Sequence, residues 1–238
     1  MSARRFYDCT TSEKLLYTSF LLLIGIGYLM ALGYLYIVSV NKDGKPGISV
    51  EDIAASYYGN RSGTRLEAAI RGPMAGYIKE EDRHHVVAWL KDGAPQEGYQ
   101  QQIKAIIDKN CIACHNTSVT NLSDFTTYQG LHQFAEVDTG MSIMSLLRLS
   151  HIHLFGISLL LFALGFIFIQ SEVPAWFKRF LVLSPMVAML VDILSWFLAK
   201  WDPVYAYTIV ISGAVLGLAM GAQIVISLYQ IWFLKRPR

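Results

Sequence analysis

Residues 111–115, which read Cys-Ile-Ala-Cys-His, carry the clearest chemistry in the chain. Two cysteines three positions apart lie about one helical turn apart, so both thiols reach the same edge of a flat group. C-x-x-C-H is the spacing at which two thiols add to the vinyl groups of one haem and the following histidine ligates its iron. The pattern therefore predicts one covalently attached haem c, held by Cys111 and Cys114, with His115 as the proximal iron ligand.

The competing interpretations of this motif are a structural pair of thiols and half of a zinc site. Zinc needs a second pair of ligands at similar spacing. The remaining cysteine is Cys9, and the adjacent His84 and His85 do not form such a pair. The acidic neighbours of these two histidines predict a solvated helix surface for them.

Four long apolar runs explain why 53% of the residues are hydrophobic and only 16% are charged. Each run has about 20 residues or more, which is enough to cross a bilayer as a helix. A signal peptide is the alternative for the first run, but that run is too long and lacks a small-residue cleavage site. On the last run, Gly213, Gly217 and Gly221 form a small-residue stripe that predicts close helix contact. The predicted spans are 15–40, 149–170, 180–199 and 206–234.

The basic residues lie mainly at the ends of these runs. Residues 41–145 hold ten Lys or Arg and thirteen Asp or Glu, a net charge of −3, whereas the rest holds ten and five, a net charge of +5. The positive-inside rule then places the N-terminus, the loop at 171–180 and the tail at 235–238 in the cytoplasm. Four spans put residues 41–145 in the periplasm, where bacteria attach haem covalently. We interpret the charge as a topology signal of an inner-membrane protein and not as nucleic-acid binding.

These patterns predict an all-α fold of four transmembrane helices, with a small helical haem domain inserted between the first and the second. The polar stretch is too long for a loop, so it should fold. Its predicted helices cover 48–57, 65–70, 79–90 and 99–109, and the last leads directly into the motif. The predicted domains are 1–40 (N-terminus and first span), 41–145 (haem domain) and 146–238 (remaining spans and tail).

Two stretches of the polar region resemble small class I c-type cytochromes. Residues 102–115 (QIKAIIDKNCIACH) are similar to the first helix and haem-attachment turn of that family. Residues 66–94 (LEAAIRGPMAGYIKEEDRHHVVAWLKDGA) are similar to its closing half, where a methionine ligand precedes a turn and a final helix. In the family this half follows the haem motif, but here it precedes the motif. The resemblance implies a permuted, cytochrome c-like domain with Met74 as the distal iron ligand.

The sixth iron ligand has further candidates. A thioether raises the haem reduction potential relative to a second histidine, which suits an electron carrier. Met141, Met144 and His132 are also candidates for this ligand, because in a small domain each could reach the haem iron. Packing in the core is the commoner role of a methionine, so these alternatives stay open.

Two ionisable residues in the spans, His151 and Asp192, are candidates for quinol or proton chemistry. Ionisable groups are costly inside a membrane and mark functional sites. At 1.5 Å per residue both are predicted about 10 Å below the periplasmic surface, where a histidine–carboxylate pair can exchange protons. The favoured alternative is a polar contact that only joins helices, with Asp192 bonded to Ser195 or Arg148.

No nucleophile with its base, phosphate loop or second metal cluster is visible, so no catalytic residue is predicted. The expected function is electron transfer between a membrane redox complex and a periplasmic carrier. Four spans exceed what anchoring needs, which indicates a subunit of a larger respiratory or photosynthetic complex. The alternatives are a quinol-oxidising subunit that uses His151 and Asp192, and an accessory subunit whose spans brace a neighbouring complex. The expected partners are the membrane, other subunits, a periplasmic electron carrier and, as a further candidate, a quinone.

Overall fold

The computed structural model of the chain describes residues 4–40, 46–61, 63–119 and 122–235. In these ranges the regular structure is helical, and the strand-like pairing found there is an isolated antiparallel bridge between Thr64 and Val137. The chain divides into a membrane unit, Met1–Ile37 with Ser142–Arg238, and an inserted unit, Val38–Met141. The limits predicted at 40/41 and 145/146 differ from these boundaries by a few residues.

The helices are numbered in chain order. A short 3-10 turn, Phe6–Asp8, precedes the first helix, and a second one, Ala75–Tyr77, lies between the third and fourth helices. A helical turn at Gln96–Gly98 and a π-helical stretch at Tyr99–Ile103 lead into the fifth helix. The helices are α1 (Thr11–Ser39), α2 (Val50–Tyr57), α3 (Arg65–Arg71), α4 (Glu80–Lys91), α5 (Lys104–Asn110), α6 (Tyr128–His132), α7 (Ile143–Phe168), α8 (Ala175–Leu198) and α9 (Tyr205–Phe233).

Four of these helices, α1, α7, α8 and α9, are long and apolar enough to cross a membrane. The chain is therefore a multi-pass membrane protein, as its apolar runs predicted. Helix α7 begins at Ile143, earlier than the predicted start at 149. The reason is a cap: the Ser142 hydroxyl accepts a hydrogen bond from the Ser145 amide at 3.2 Å, which lets the helix start among polar residues.

Helix α1 contacts the other spans through its first two-thirds. The Trp232 indole of α9 donates to the Thr18 hydroxyl at 3.0 Å. A Cβ atom on Gly217 would collide with the Tyr28 ring, so this glycine permits the close approach of α1 to α9. An added Cβ on Gly213 or Gly221 would have nothing within 4 Å, so the predicted stripe makes its close contact at Gly217 alone.

The N-terminal segment packs on the loop between α7 and α8. Phe6 is fully buried, and the Arg5 guanidinium donates to the Ser171 carbonyl at 2.8 Å. Arg5 also lies 3.8 Å from the Glu172 carboxylate, and the Cys9 thiol donates to Gln170 at 3.3 Å. Two of the basic segments used for the topology prediction therefore share one end of the membrane unit. The tail residues 236–238 lie outside the described residues.

A hydrophobic core of the inserted unit receives residues from α3, α4 and α5. Tyr99, Ile103 and Ile107 are each 1% exposed and line one side of the segment that leads to the motif. Val86 of α4 and Leu131 of α6 are fully buried against it. All four helices predicted for this region are present with shifted ends, because periodic apolar residues define a buried face well and helix termini poorly.

The C-terminal stretch of the inserted unit returns to α2. The Met141 amide donates to the Ser56 carbonyl at 3.0 Å, and the Asn60 amide donates to the Asp138 carboxylate at 3.0 Å. Gly59 and Gly140 both have positive φ, and a Cβ on either would collide with the backbone of the other segment. Only glycine fits such a left-handed, close approach, which fixes Met141 beside α2.

Candidate functional site

Cys111 begins a tight turn at the end of α5. Its amide donates to the Ile107 carbonyl at 2.8 Å, which closes the last turn of the helix. The amides of Cys114 and His115 both donate to the Cys111 carbonyl, at 3.1 and 2.9 Å. These bonds hold two sulfurs and one imidazole within a single turn of the chain, the local arrangement that the spacing predicts.

The two thiols have different surroundings. Cys111 is half-buried and packs against the hydrophobic core of the inserted unit, and this burial raises the pKa of its thiol. Cys114 is exposed, and neither sulfur forms a disulfide. The turn therefore presents one anchored sulfur and one open sulfur on the same stretch of chain.

The His115 imidazole is held by two contacts. Its Nδ1 lies 3.0 Å from the Ser123 carbonyl oxygen, and its ring stacks on Phe125 with the centroids 4.3 Å apart and the planes at 6°. The Phe125 amide donates back to the His115 carbonyl at 3.1 Å. Because a carbonyl oxygen can only accept, Nδ1 carries the proton, and Nε2 is the nitrogen available to a metal.

Ser123 is the residue of this turn that the sequence did not reveal, because its backbone carbonyl and not its side chain contacts the His115 ring. The Asp124 carboxylate accepts from the Thr126 amide at 2.9 Å, and this bond lowers the pKa of Asp124. Gly130 leaves no room for a Cβ because the Asp124 carbonyl lies against it. The Asp-x-Thr pattern predicts a turn here, because an aspartate side chain in a turn can accept a hydrogen bond from the backbone amide two residues further along.

Met74, the first candidate for the sixth ligand, lies on the surface of the inserted unit. Its side chain is 39% exposed, which is high for a methionine in a folded domain. Its amide donates to the Ala69 carbonyl at 2.9 Å, so the backbone is fixed at the end of α3. Since the core is the commoner place for a methionine, an exposed one at a fixed position is available as a ligand.

The competing ligand candidates fall in different places. Met141 lines a cleft of about 340 Å³ in the inserted unit together with Pro73, the neighbour of Met74. Met144 belongs to the first turn of α7 in the membrane unit and is 74% exposed. His132 ends α6, with its ring 4.9 Å from the Tyr128 ring. The choice of sixth ligand stays a prediction.

Asp192 of α8 takes part in a polar cluster inside the membrane unit. Ser212 of α9 places its hydroxyl 3.1 Å from Asp192 Oδ1, and the Trp196 side chain donates a hydrogen bond to the same carboxylate. His153 of α7 interacts electrostatically with Asp192 and sets its ring edge-on to Trp196, with the centroids 5.2 Å apart. Three helices therefore meet at this carboxylate.

The structure does not bring the candidate His151 to Asp192, and the histidine beside this carboxylate is His153. His151 is exposed, and its ring lies 5.0 Å from the Phe155 ring of its own helix. Two residues on a helix differ by roughly 200° of rotation, so only one of the two histidines can face α8. The alternative partner Ser195 donates to the Val191 carbonyl of its own helix at 2.8 Å.

Among the described residues, the other histidines and acids do not gather into a metal site. In the part of the chain that the structure describes, no group of three or more His, Cys, Asp or Glu side chains is placed to hold a metal ion. His84 and His85 are exposed, as predicted. His84 lies 3.9 Å from Glu80, and His85 Nδ1 lies 3.0 Å from the Gln102 amide nitrogen.

Comparison with known proteins bears on the membrane part. Neither curated proteins nor solved structures gave a match to the chain. A family model described as a transmembrane helical domain matches residues 119–238, which is half of the chain. The match begins after His115 and includes the three spans α7, α8 and α9. The chain therefore belongs to the Aq_1264_TM family of transmembrane helical domains.

Proposed function

We propose that the chain is a membrane-bound c-type cytochrome that transfers electrons as a subunit of a larger redox complex. Cys111 and Cys114 would hold one haem c through thioether bonds, and His115 would ligate its iron. The observation that carries this proposal is the fixed His115 ring, whose Nδ1 is bonded to the Ser123 carbonyl at 3.0 Å. A ligand histidine characteristically donates its other ring N–H to such an acceptor, which orients the ring and raises its basicity.

The residues of the turn fit the group they would hold. The half-buried Cys111 would hold one edge of the haem against the hydrophobic core. Cys114 is exposed, which leaves room for the rest of the haem. Phe125 is only 7% exposed, and its ring stacks on the imidazole and holds the plane of the imidazole in one orientation. When bound, a haem supplies one-electron oxidation and reduction at its iron.

Met74 is proposed as the sixth ligand of the haem iron. Its exposure and its fixed backbone make the thioether available, and a thioether would raise the reduction potential relative to a second histidine. The permuted order relative to class I cytochromes places this residue before the motif in the chain. Met141, Met144 and His132 remain the competing assignments.

The orientation proposed for the membrane unit follows from the basic residues that lie at one of its ends. Arg4, Arg5, Lys178 and Arg179 lie where the N-terminal segment packs on the α7–α8 loop. The positive-inside rule assigns that end to the cytoplasm, so the chain between α1 and α7 would lie in the periplasm of a bacterial inner membrane. There the inserted unit would exchange electrons with a periplasmic carrier.

The decisive experiment is haem staining of the full chain made in a bacterium that matures c-type cytochromes. The double variant Cys111→Ser, Cys114→Ser should lose all peroxidase stain on a denaturing gel, because no covalent link remains. The matched control is Cys9→Ser, which removes the third cysteine and should keep full stain. Stain retained in the double variant would place the haem elsewhere and overturn the proposal. Since attachment takes place in the periplasm, the stain also reports on which side the inserted unit lies.

A further inference from the structure

A proline interrupts the hydrogen bonds of α8. Pro185 lies inside this helix and has no backbone N–H, so it cannot donate to the carbonyl four residues earlier. That carbonyl belongs to Leu181, a residue that is only 4% exposed. The proline ring also crowds the same carbonyl and turns it away from its own helix. Inside a membrane no water is available to bond it, so the carbonyl needs a donor from elsewhere in the protein.

A glutamine on the neighbouring helix supplies this donor. Gln223 of α9 places its Nε2 atom 2.8 Å from the Leu181 carbonyl oxygen. Gln223 is 1% exposed, although glutamine side chains lie mostly on protein surfaces. Its amide nitrogen thus takes the place of the backbone N–H that Pro185 lacks. Gln223 Oε1 has no hydrogen-bond partner among the described residues, so the bond to Leu181 is what its buried amide contributes.

This bond has a counterpart on the other side of the proline. There the Ser212 hydroxyl of α9 lies 3.1 Å from Asp192 Oδ1 of α8. Positions 181 and 192 of α8 are about three helical turns apart, and positions 212 and 223 of α9 have the same spacing. Each helix therefore uses a single face for both contacts. The two segments of α8 that meet at Pro185 are each joined to α9 by a hydrogen bond of their own.

We propose that Pro185 is a hinge of α8 and that the bond from Gln223 to Leu181 is the latch that keeps this hinge closed. A helix bends most easily where a proline removes one of its hydrogen bonds. While the latch is closed, the first segment of α8 stays in line with the segment that carries Asp192. When the latch opens, only packing opposes bending at Pro185. This inference goes beyond the haem assignment and does not depend on it.

The first test is a double-mutant cycle on the full chain, followed by thermal unfolding in detergent micelles. Gln223→Leu removes the donor and should lower the unfolding midpoint by about 2–4 °C. Pro185→Ala returns an N–H to residue 185, which can then bond the Leu181 carbonyl within the helix. In the Pro185→Ala background, Gln223→Leu should therefore cause less than half of that loss. An equal loss in both backgrounds would show that Gln223 does not replace the missing N–H and would overturn the proposal.

The second test measures bending directly. Nitroxide labels are coupled to ketone-bearing amino acids at positions 176 and 198, which are exposed on α8, so every native cysteine stays in place. In a straight helix these positions are about 33 Å apart, a distance that pulsed electron paramagnetic resonance can measure. Gln223→Leu should broaden the distribution of this distance, and adding Pro185→Ala should narrow it again. A distribution that Gln223→Leu leaves unchanged would mean that the bond does not hold a hinge.

The matched control for both tests is Ser227→Ala. Ser227 lies one turn beyond Gln223 on α9 and is fully buried, but its hydroxyl has no hydrogen-bond partner among the described residues. The variant should therefore keep both the unfolding midpoint and the distance distribution of the unchanged chain. If it reproduced the effects of Gln223→Leu, the loss of any buried polar group on this face would account for them, and the proposal would fail.

Discussion

The turn at 111–115 and the Asp192 cluster hold their polar groups in different ways. At the turn, the candidate side chains are neighbours in sequence, and backbone carbonyls at positions 111 and 123 fix them. At the cluster, the Ser212 hydroxyl of one helix lies 3.1 Å from the Asp192 carboxylate of a second, and His153 of a third helix interacts electrostatically with that carboxylate. The turn depends on local conformation, whereas the cluster exists only while α7, α8 and α9 pack in register.

The largest effect is expected at Phe125, a core residue whose ring stacks on His115 of the turn. Phe125→Ala should lower the free energy of unfolding of the inserted unit by about 3–5 kcal/mol, because it removes a buried aromatic ring. It should also let the His115 ring rotate and lower haem incorporation. Leu131→Ala is the control, since Leu131 is buried in the same core, whereas the ring that stacks on His115 belongs to Phe125. Equal haem yield in two equally destabilised variants would show that the stacking does not orient the ligand.

Replacing the proposed distal ligand tests whether the proposed haem site, like the cluster, joins distant parts of the chain. Met74→His should lower the reduction potential by more than about 0.1 V, part of the roughly 0.8 V range that axial ligands span. Redox titration of the Soret band measures this directly. Met141→His is the matched control and should leave the potential unchanged. If Met74→His left the potential unchanged and Met141→His lowered it, Met141 would be the sixth ligand.

A smaller effect is expected from the contact between helices in the membrane unit. A double-mutant cycle of Asp192→Ala and Ser212→Ala should give a coupling of about 0.6 kcal/mol, with about 1.7 as the upper end for such bonds. Unfolding in mixed micelles provides the free energies. Ser195→Ala should change little, because that hydroxyl bonds its own helix. A coupling of zero would mean that Ser212 donates only to the Thr208 and Ile209 carbonyls of its own helix.

The smallest effect concerns a surface contact next to the motif. Lys109 and Asn110 donate to the Asp82 carboxylate at 3.0 and 3.1 Å, and these bonds lower the pKa of Asp82, the Lys109 bond most. Since the folded-state pKa lies below the unfolded value of about 3.9, the stabilisation is present above that pH. It is lost as the pH falls through the folded-state pKa.

Asp82→Asn should therefore lower the free energy of unfolding slightly at neutral pH, where the carboxylate contributes, and flatten the acid limb of the unfolding curve below about pH 4. Denaturant unfolding at a series of pH values, followed by the Soret band, measures this. The exposed Asp92→Asn is the control. An acid limb that is the same in both variants would show that α4 and the end of α5 are not joined by this contact.

Sequence alone predicted those features that neighbouring residues determine. The four spans follow from uninterrupted apolar runs, since a bilayer requires that length and composition. The turn at Cys111 follows from the spacing of its residues, and the helices of the inserted unit follow from periodic apolar positions. The contact between the Ser123 carbonyl and His115 was not predicted, because every residue has a backbone carbonyl and the residue type does not reveal which one forms a contact.

Tertiary structure decided which residues meet across the chain. His151 and His153 have the same side chain and nearly the same place in sequence, yet only His153 faces Asp192, because the rotation of α7 against α8 is set by packing. Likewise only Gly217 of its stripe touches α1, through the Tyr28 ring. Helical period specifies which residues share a face, but the neighbour that covers that face is chosen by the packing of the whole bundle.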